Sequence, residues 1–235
     1  MLKIEGEKNM KCKSFFITGT DTDIGKTYIS SLFFKALIKN KKEKTLYYKP
    51  VQSGCFLSKG VLTAPDLLKI SEISGKKYDK NMCTYYLKEE VSPHFAAEIE
   101  NVELDLNKII SEINKRKEEA DNLIVEGAGG VYVPIVREKF YIFDIIKSAS
   151  LPVIVVTGTK VGAINHAMLT IKFLESKNIK IHGIVFNKYT GKNFEKDNIE
   201  VILKESGIKN YLIVKEGQED IDDSYLKKFI EGELL

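Results

Sequence analysis

The sequence predicts a single α/β domain with a mostly parallel sheet and helices on both faces of that sheet. Apolar runs rich in β-forming residues alternate along the chain with segments whose apolar residues recur at helical spacing, which is typical of a parallel sheet covered by helices. One run, residues 151–158, is almost wholly apolar, as expected of a strand buried on both faces. A chain of 235 residues is long enough to form one such domain with a sizeable core.

Composition and charge give no argument for nucleic acid or an anionic membrane, and we expect neither as a partner. Lys and Arg total 36 against 33 Asp and Glu, so the formal net charge is only +3. No apolar stretch approaches the roughly 20 residues that cross a bilayer, and residues 1–9 are too charged for a secretory leader. Cys12, Cys55 and Cys83 are widely spaced, which suits reduced thiols. We expect a cytoplasmic protein with a flexible leader at 1–9 and a single domain at 10–235.

The segment 19–27 is predicted to be a phosphate-binding loop. The apolar residues 15–17 lead into it as a strand, and a helix predicted for about 25–40 follows it. Glycines allow successive backbone N–H groups to face an anion. Lys26 can reach the β- and γ-phosphates, and the Thr27 hydroxyl can ligate Mg²⁺. This context predicts a fold like that of the P-loop NTPases, rather than an ordinary turn followed by a helix.

The spacing of this loop departs from the usual pattern. Five residues separate Gly19 from Gly25, whereas four usually precede the Gly-Lys pair. Either Thr20 stands where the first glycine normally lies, or the loop is longer by one residue.

A lysine and a serine flank the end of the second predicted strand. This strand covers 45–51 and is expected to stop at Pro50, before a loop at 52–54. The carboxyl ends of parallel strands line the ligand crevice. Lys49 and Ser53 are therefore expected to face the phosphate loop, unless Lys49 is a surface residue on an edge strand.

The next predicted helix, at 64–74, carries Asp66 in its first turn. An acidic residue there is favoured by the helix dipole, and that interpretation competes with a role as a Mg²⁺ ligand. Residues 75–103 lack periodicity and are predicted to be irregular, and a helix is predicted for 104–119.

An apolar strand beginning at residue 123 is expected to end in Glu126 and to open into Gly127, Gly129 and Gly130. A carboxylate at such a strand end, beside a phosphate loop, is where nucleotide-processing enzymes hold Mg²⁺. The glycines permit close approach of the backbone to a ligand. The segment is therefore predicted to belong to the same site.

The remaining chain continues the alternation. Helices are predicted for 141–149, 160–174, 193–206 and 224–231, and strands for 151–158, 181–187 and 211–214, the last at a sheet edge. Asn187 ends one of these strands. Its amide can pair with an adenine edge, although asparagine is also common in turns.

Four motifs in this order resemble the dethiobiotin synthetases: residues 18–27, 49–54, 125–130 and 162–170. The loop alone indicates only the broad superfamily. Its longer spacing combined with Lys-Pro-Val-x-Ser-Gly is specific. That family joins CO₂ to 7,8-diaminononanoate and closes a ureido ring at the expense of ATP, in biotin biosynthesis.

The resemblance implies Mg²⁺ as cofactor, ATP as co-substrate and a set of site residues. The catalytic residues would be Lys49, Thr22, Ser53 and Lys26, the first three of which position and neutralise a carbamate. The metal ligands would be Thr27, Asp66 and Glu126. The nucleotide contacts would be Asp23, Ile24, Gly25, Lys26, Thr27, Tyr28, Glu126, Gly127, Gly129, Gly130 and Asn187.

The resemblance also implies a homodimer acting on small molecules. The substrate carboxylate would lie at a helix start of the partner subunit, formed by Gly162, Ala163, Ile164 and Asn165. The small-molecule partners would be the diamine, CO₂ and a nucleoside triphosphate.

Two positions depart from the family pattern. Asp23 stands where the family often has Glu. The family usually closes over the base with a Gly-x-x-Pro segment, but residues 214–220 contain no proline. We therefore predict weaker discrimination among nucleoside triphosphates than is usual in the family.

Two other classes of protein compete with this interpretation. A partition or septum-positioning ATPase, which is a nucleotide-switched dimer, would carry an additional lysine early in the loop, and Thr20, Asp21 and Thr22 provide none. A non-catalytic nucleotide-sensing module would not need Lys49, Ser53 and Glu126 together.

Overall fold

The computed structural model describes residues 13–233, which form one α/β domain. Its strands are β1 (Lys13–Gly19), β2 (Thr45–Gln52), β3 (Phe56–Ser58), β4 (Val61–Thr63), β5 (Cys83–Tyr86), β6 (Asn122–Gly130), β7 (Pro134–Val136), β8 (Phe140–Tyr141), β9 (Val153–Thr157), β10 (Ile181–Tyr189) and β11 (Tyr211–Lys215). Its helices are α1 (Lys26–Leu37), α2 (Pro65–Ser74), α3 (Pro93–Ile99), α4 (Leu106–Glu119), α5 (Ile142–Ser148), α6 (Ala163–Ser176), α7 (Asn193–Ser206) and α8 (Asp223–Glu231).

Seven strands form the main sheet, in the order β11-β10-β9-β1-β6-β2-β5. Every pairing in it is parallel, so the predicted fold class is confirmed. The other strands form two antiparallel hairpins, β3 with β4 and β7 with β8. All parallel strands end at the same edge of the sheet, so the residues that follow these strands lie close together at that edge.

Apolar clusters lie on both faces of this sheet. One contains Phe33 of α1, Leu67 of α2 and Phe229 of α8. The opposite cluster contains Ile113 of α4 and Ile145 of α5. Four successive residues of β9, Val153 to Val156, are fully buried between these clusters. This explains why that strand is almost wholly apolar in sequence.

The prediction that the second strand stops at Pro50 is wrong, because β2 continues to Gln52. Its register with β6 runs from Thr45 to Tyr48, and beyond that its partner is β5. Pro50 lies past the paired stretch with β6, so its missing N–H removes no hydrogen bond from that ladder.

The prediction of an irregular segment at 75–103 is also wrong. It contains a 3₁₀ turn at Lys80–Met82, the edge strand β5 and the helix α3. β5 is only four residues long, and its burial alternates. Such a strand is stabilised by its register with Lys49, Val51 and Gln52 of β2, and that long-range pairing leaves little local signal.

The prediction that Glu126 ends its strand is wrong. β6 extends through the glycines to Gly130, because β1 shifts register after Ile17 and pairs Gly19 with Gly130. The segment around Glu126 still lies beside the phosphate loop.

The predicted leader at residues 1–9 lies outside the described residues. Between residues 13 and 233, no helix is long and apolar enough to cross a membrane.

Candidate active site

The carboxyl ends of the central strands open into a cavity of about 870 Å³. Its lining includes most of the residues predicted from sequence, which are Thr22, Asp23, Gly25, Lys26, Thr27, Tyr28, Lys49, Ser53, Asp66, Glu126, Gly129 and Asn187. Three other residues predicted for the nucleotide site, Ile24, Gly127 and Gly130, are not part of the lining. Chain segments that are far apart in sequence thus meet in one concave surface, as small-molecule sites require.

The phosphate loop is held in shape by contacts of its own. Gly25 precedes α1 with φ of 101°, and a Cβ there would lie 2.1 Å from Nδ2 of Asn187. A Cβ on Gly19 would lie 2.6 Å from Cγ2 of Ile24. The Lys26 ammonium donates to the carbonyl oxygen of Asp21 at 2.9 Å. The loop therefore curls over its own lysine, and both glycines are required by close approach.

Lys49 lies at the centre of a buried charged cluster. Its Nζ is 2.5 Å from Oδ2 of Asp66 and 2.9 Å from Oε1 of Glu126, and it also donates to the Gly127 carbonyl at 3.3 Å. The same Glu126 oxygen accepts a hydrogen bond from the Thr27 hydroxyl at 2.7 Å. Lys49 is 3% exposed and Glu126 is fully buried. The alternative of a surface lysine is thereby excluded.

The electrostatics of this cluster follow from its geometry. Burial alone lowers the pKa of Lys49, but Asp66 and Glu126 outweigh it and raise that pKa above its ordinary value. Burial raises the pKa of Asp66, but contacts with Lys49 and Thr27 lower it overall. Burial and the neighbouring ammonium of Lys49 lower the pKa of Lys26. Lys26 and Lys49 both line the cavity, where each ammonium group can donate a charge-assisted hydrogen bond to an anionic ligand.

Two polar side chains of the lining differ in how they are satisfied. The buried Oγ of Ser53 has no hydrogen-bond partner within residues 13–233. A buried unpaired hydroxyl is costly, so Ser53 is suited to bind a ligand atom. The amide of Asn187 instead donates from Nδ2 to the Ile24 carbonyl at 2.9 Å. That bond ties β10 to the phosphate loop.

Sequence reasoning missed two residues that support the site. The Tyr47 hydroxyl donates to Oε2 of Glu126 at 3.0 Å, and Lys188 donates to the Asp23 carbonyl at 2.9 Å. Tyr47 lies two positions before Lys49 on β2 and so shares its side of the sheet, a signal that could have identified it. Lys188 follows Asn187 directly, but nothing in its local pattern points to the loop.

The residues predicted to bind the substrate carboxylate do not line this cavity. Gly162 precedes α6 with φ of 92°, and neither it nor Ala163, Ile164 or Asn165 lines the cavity. These residues do not complete the cavity of their own chain.

The residues around Glu126 fit a Mg²⁺ ion. The Thr27 hydroxyl donates to the Glu126 carboxylate, and Lys49 contacts the carboxylates of both Glu126 and Asp66. Hard oxygen ligands of this kind suit Mg²⁺, which usually takes one or two carboxylates together with phosphates and water.

A phosphate loop at a strand-to-helix turn, with a carboxylate on the neighbouring strand, defines a P-loop nucleotide-binding protein. A family model described as an AAA domain matches residues 13–217. A relative from Fusobacterium nucleatum, named ATP-dependent dethiobiotin synthetase BioD, is 54% identical over 220 residues, covering 94% of this chain and 99% of the relative. A relative of the same name from Clostridium perfringens is 38% identical, covering 84% of this chain and 88% of its own. The chain belongs to the ATP-dependent dethiobiotin synthetases, a family of ligases.

Solved structures of two other proteins share the fold. A ParA family ATPase from Chlorobium tepidum superposes with a TM-score of 0.55 at 16% identity, covering 96% of this chain and 90% of that one. The MinC:MinD cell division complex of Aquifex aeolicus superposes with a TM-score of 0.54 at 16% identity, covering 94% of this chain and 93% of that one. At this identity the likeness concerns the fold alone.

Proposed function

We propose that this protein converts 7,8-diaminononanoate, CO₂ and ATP into dethiobiotin, ADP and phosphate. The observation that carries the proposal is the placement of Lys49 and the unpaired Ser53 hydroxyl in the same cavity as Lys26 and the phosphate loop. The names of the sequence relatives support the same reaction. A protein that only hydrolyses or senses nucleotide has no need of a second anion site there.

The first step forms a carbamate. One amine of the substrate attacks CO₂, a C–N bond forms, and the nitrogen loses a proton to solvent. The carbamate is an anion. Lys49 neutralises it, and the Ser53 and Thr22 hydroxyls donate hydrogen bonds to it. Holding this labile group next to the nucleotide lowers the entropic cost of the next step.

The next two steps transfer and then release phosphate. A carbamate oxygen attacks the γ-phosphorus and ADP leaves, giving a carbamic-phosphoric anhydride. Lys26 and the loop N–H groups stabilise the charge on the phosphate oxygens. The second amine then attacks the carbonyl carbon, the C–O bond to phosphate breaks, and the ring closes with loss of a proton. Charge stabilisation dominates, which agrees with the presence of Lys26 and Lys49 in the cavity lining.

Thr27, Asp66 and Glu126 would hold Mg²⁺, which when bound supplies positive charge that neutralises the nucleotide phosphates. Lys49 lies between both carboxylates, so it also fixes their orientation. Asn187 keeps the loop in place through Ile24.

Product formation tests the proposal directly. With ¹³C-bicarbonate, ATP, Mg²⁺ and the diamine, we expect one labelled carbon in a product of the mass of dethiobiotin, detected by mass spectrometry. Omitting any one reactant should remove the labelled product. Absence of that product from the complete reaction, with protein that binds ATP, would refute the assigned reaction.

We further propose that the working enzyme is a cytoplasmic homodimer in which residues 162–165 of one subunit bind the substrate carboxylate of the other. The support is that these residues lie outside their own cavity, while Val161 and Leu169 beside them are 91% and 64% exposed. Exposed apolar residues of this kind suit an interface.

Complementation tests the shared site. Lys49→Ala and Asn165→Asp are each expected to be nearly inactive. Mixed and reassociated, they should recover up to about a quarter of wild-type activity, because some heterodimers contain one intact site. Failure to recover activity in a mixture shown to contain heterodimers would contradict a site built from both subunits.

A further inference from the structure

The last residue of β11 and the turn after it form one end of the cavity wall. Lys215, Glu216 and Gly217 line the cavity together with Tyr28 and Asn187. Gly217 has φ of 75°, so the backbone turns sharply there. This is the stretch in which the sequence lacks a proline, and something other than a proline ring must fix its shape.

The Gln218 side chain supplies part of that constraint. Its Oε1 accepts a hydrogen bond from the Lys215 N–H at 3.0 Å, and its Nε2 donates to the Asp220 carbonyl at 2.8 Å. The Gln218 N–H also donates to the Lys215 carbonyl at 3.2 Å. One side chain thus bridges the two ends of the turn.

Helix α1 fastens this turn to the phosphate loop. The Tyr28 hydroxyl donates to the Gln218 carbonyl. About two turns further along the same face of α1, Lys35 donates to the Glu219 carbonyl at 3.2 Å and lies 2.9 Å from Oδ1 of Asp220. Tyr28 follows Thr27 directly, so the residue that clamps the turn is adjacent to the residues that bind phosphate.

The cavity has two sides relative to Lys26. Lys49 and Ser53, at the end of β2, form the side assigned to the carbamate. The γ-phosphate must face that side, so the nucleoside extends toward Asn187 of β10 and residues 215–217 at the end of β11. The direction assigned to the nucleoside rests on the proposed function.

We propose that Tyr28 is a positioning residue for the nucleoside part of ATP. Through its hydrogen bond to Gln218 it holds the wall at 215–217 against the base and ribose. Tyr28 does not act on the phosphates, and it does not take part in ring closure.

The test measures binding of ATP, ADP and inorganic tripolyphosphate to the full chain by calorimetry, in Tyr28→Phe and wild type. Loss of one hydrogen bond is expected to raise the Kd for ATP and ADP about three- to tenfold. The Kd for tripolyphosphate, which lacks base and ribose, should stay within about twofold. In turnover, the KM for ATP should rise while kcat and the KM for the diamine stay nearly unchanged.

Tyr86→Phe is the matched control. Its hydroxyl also donates to a backbone carbonyl, that of Lys80 at 2.6 Å, but Tyr86 is not part of the cavity lining. It should leave all three Kd values unchanged. Gln218→Ala should reproduce the Tyr28→Phe effect on ATP, and the double variant should be little worse than either single one, because both act through the same turn.

Unchanged ATP affinity in Tyr28→Phe would overturn the proposal. So would an equal loss for ATP and tripolyphosphate, which would place the effect on the phosphate loop. These outcomes are separate from failure of the proposed reaction, since binding needs neither the diamine nor turnover.

Discussion

Lys49→Ala should lower the rate of ring closure by about a thousandfold or more, as expected when a principal charge-stabilising group is removed. Lys49 contacts Asp66 and Glu126 and lies 3% exposed, so solvent cannot replace its charge. ATP should still bind, because Lys26 and the loop are intact. The measurement is product formation under saturating substrates.

The same substitution should lower stability without preventing folding. Breaking a buried ion pair by removing one partner costs about 3–5 kcal/mol, and the thermal midpoint reports it. Adding Glu126→Gln to Lys49→Ala removes one of the stranded carboxylates, so stability should recover in part while ring closure does not. A Lys49→Ala enzyme that retained more than about a tenth of its activity would contradict the carbamate site.

Gly25→Ala should also have a large effect, because it should weaken the binding of ATP. A Cβ at Gly25 would lie 2.1 Å from Nδ2 of Asn187, and the residue has φ of 101°. The new methyl group must displace Asn187 from the Ile24 carbonyl, and a side chain in that backbone region costs a further 1–3 kcal/mol or so. We expect ATP affinity to fall about a hundredfold or more, near 2.7 kcal/mol, measured by calorimetry.

Gly75→Ala is the control for the backbone conformation. Gly75 has φ of 70° and open space around its missing Cβ, so alanine meets only the backbone cost. Stability should fall by about 1 kcal/mol, with unchanged ATP affinity. Equal ATP affinity in Gly25→Ala and wild type would show that the contact with Asn187 does not shape the loop.

The sequence was sufficient to predict the parts of the site that carry a local pattern. A glycine-containing turn between a strand and a helix identified Lys26 and Thr27. The positions of Lys49 and Glu126 in the site could be predicted because each is a charged residue near the end of a predicted strand. Parallel strands end at one edge of the sheet, so the two residues were expected to lie close together. The prediction needed only the alternation of strands and helices and the chemistry of phosphate.

Other features depend on contacts between distant residues and left no local signal. β5 is short and is stabilised by its pairing with β2, so its sequence looked irregular. The hydrogen bond from Tyr28 to the Gln218 carbonyl joins residues 190 positions apart. Asp66 was ambiguous, because an acidic residue in a first helical turn has a local explanation. Only the fold brings it against Lys49.

The dependence of ADP release on the diamine tests the central claim most directly. With ATP, Mg²⁺ and bicarbonate present, we predict that ADP release is slow without diaminononanoate and that, with it, one ADP accompanies each dethiobiotin formed. A switch ATPase would release ADP at the same rate with and without the diamine. A sensor would release none under either condition. Either of these results would contradict the assignment of Lys49, Ser53 and Lys26 to a single ring-closing site.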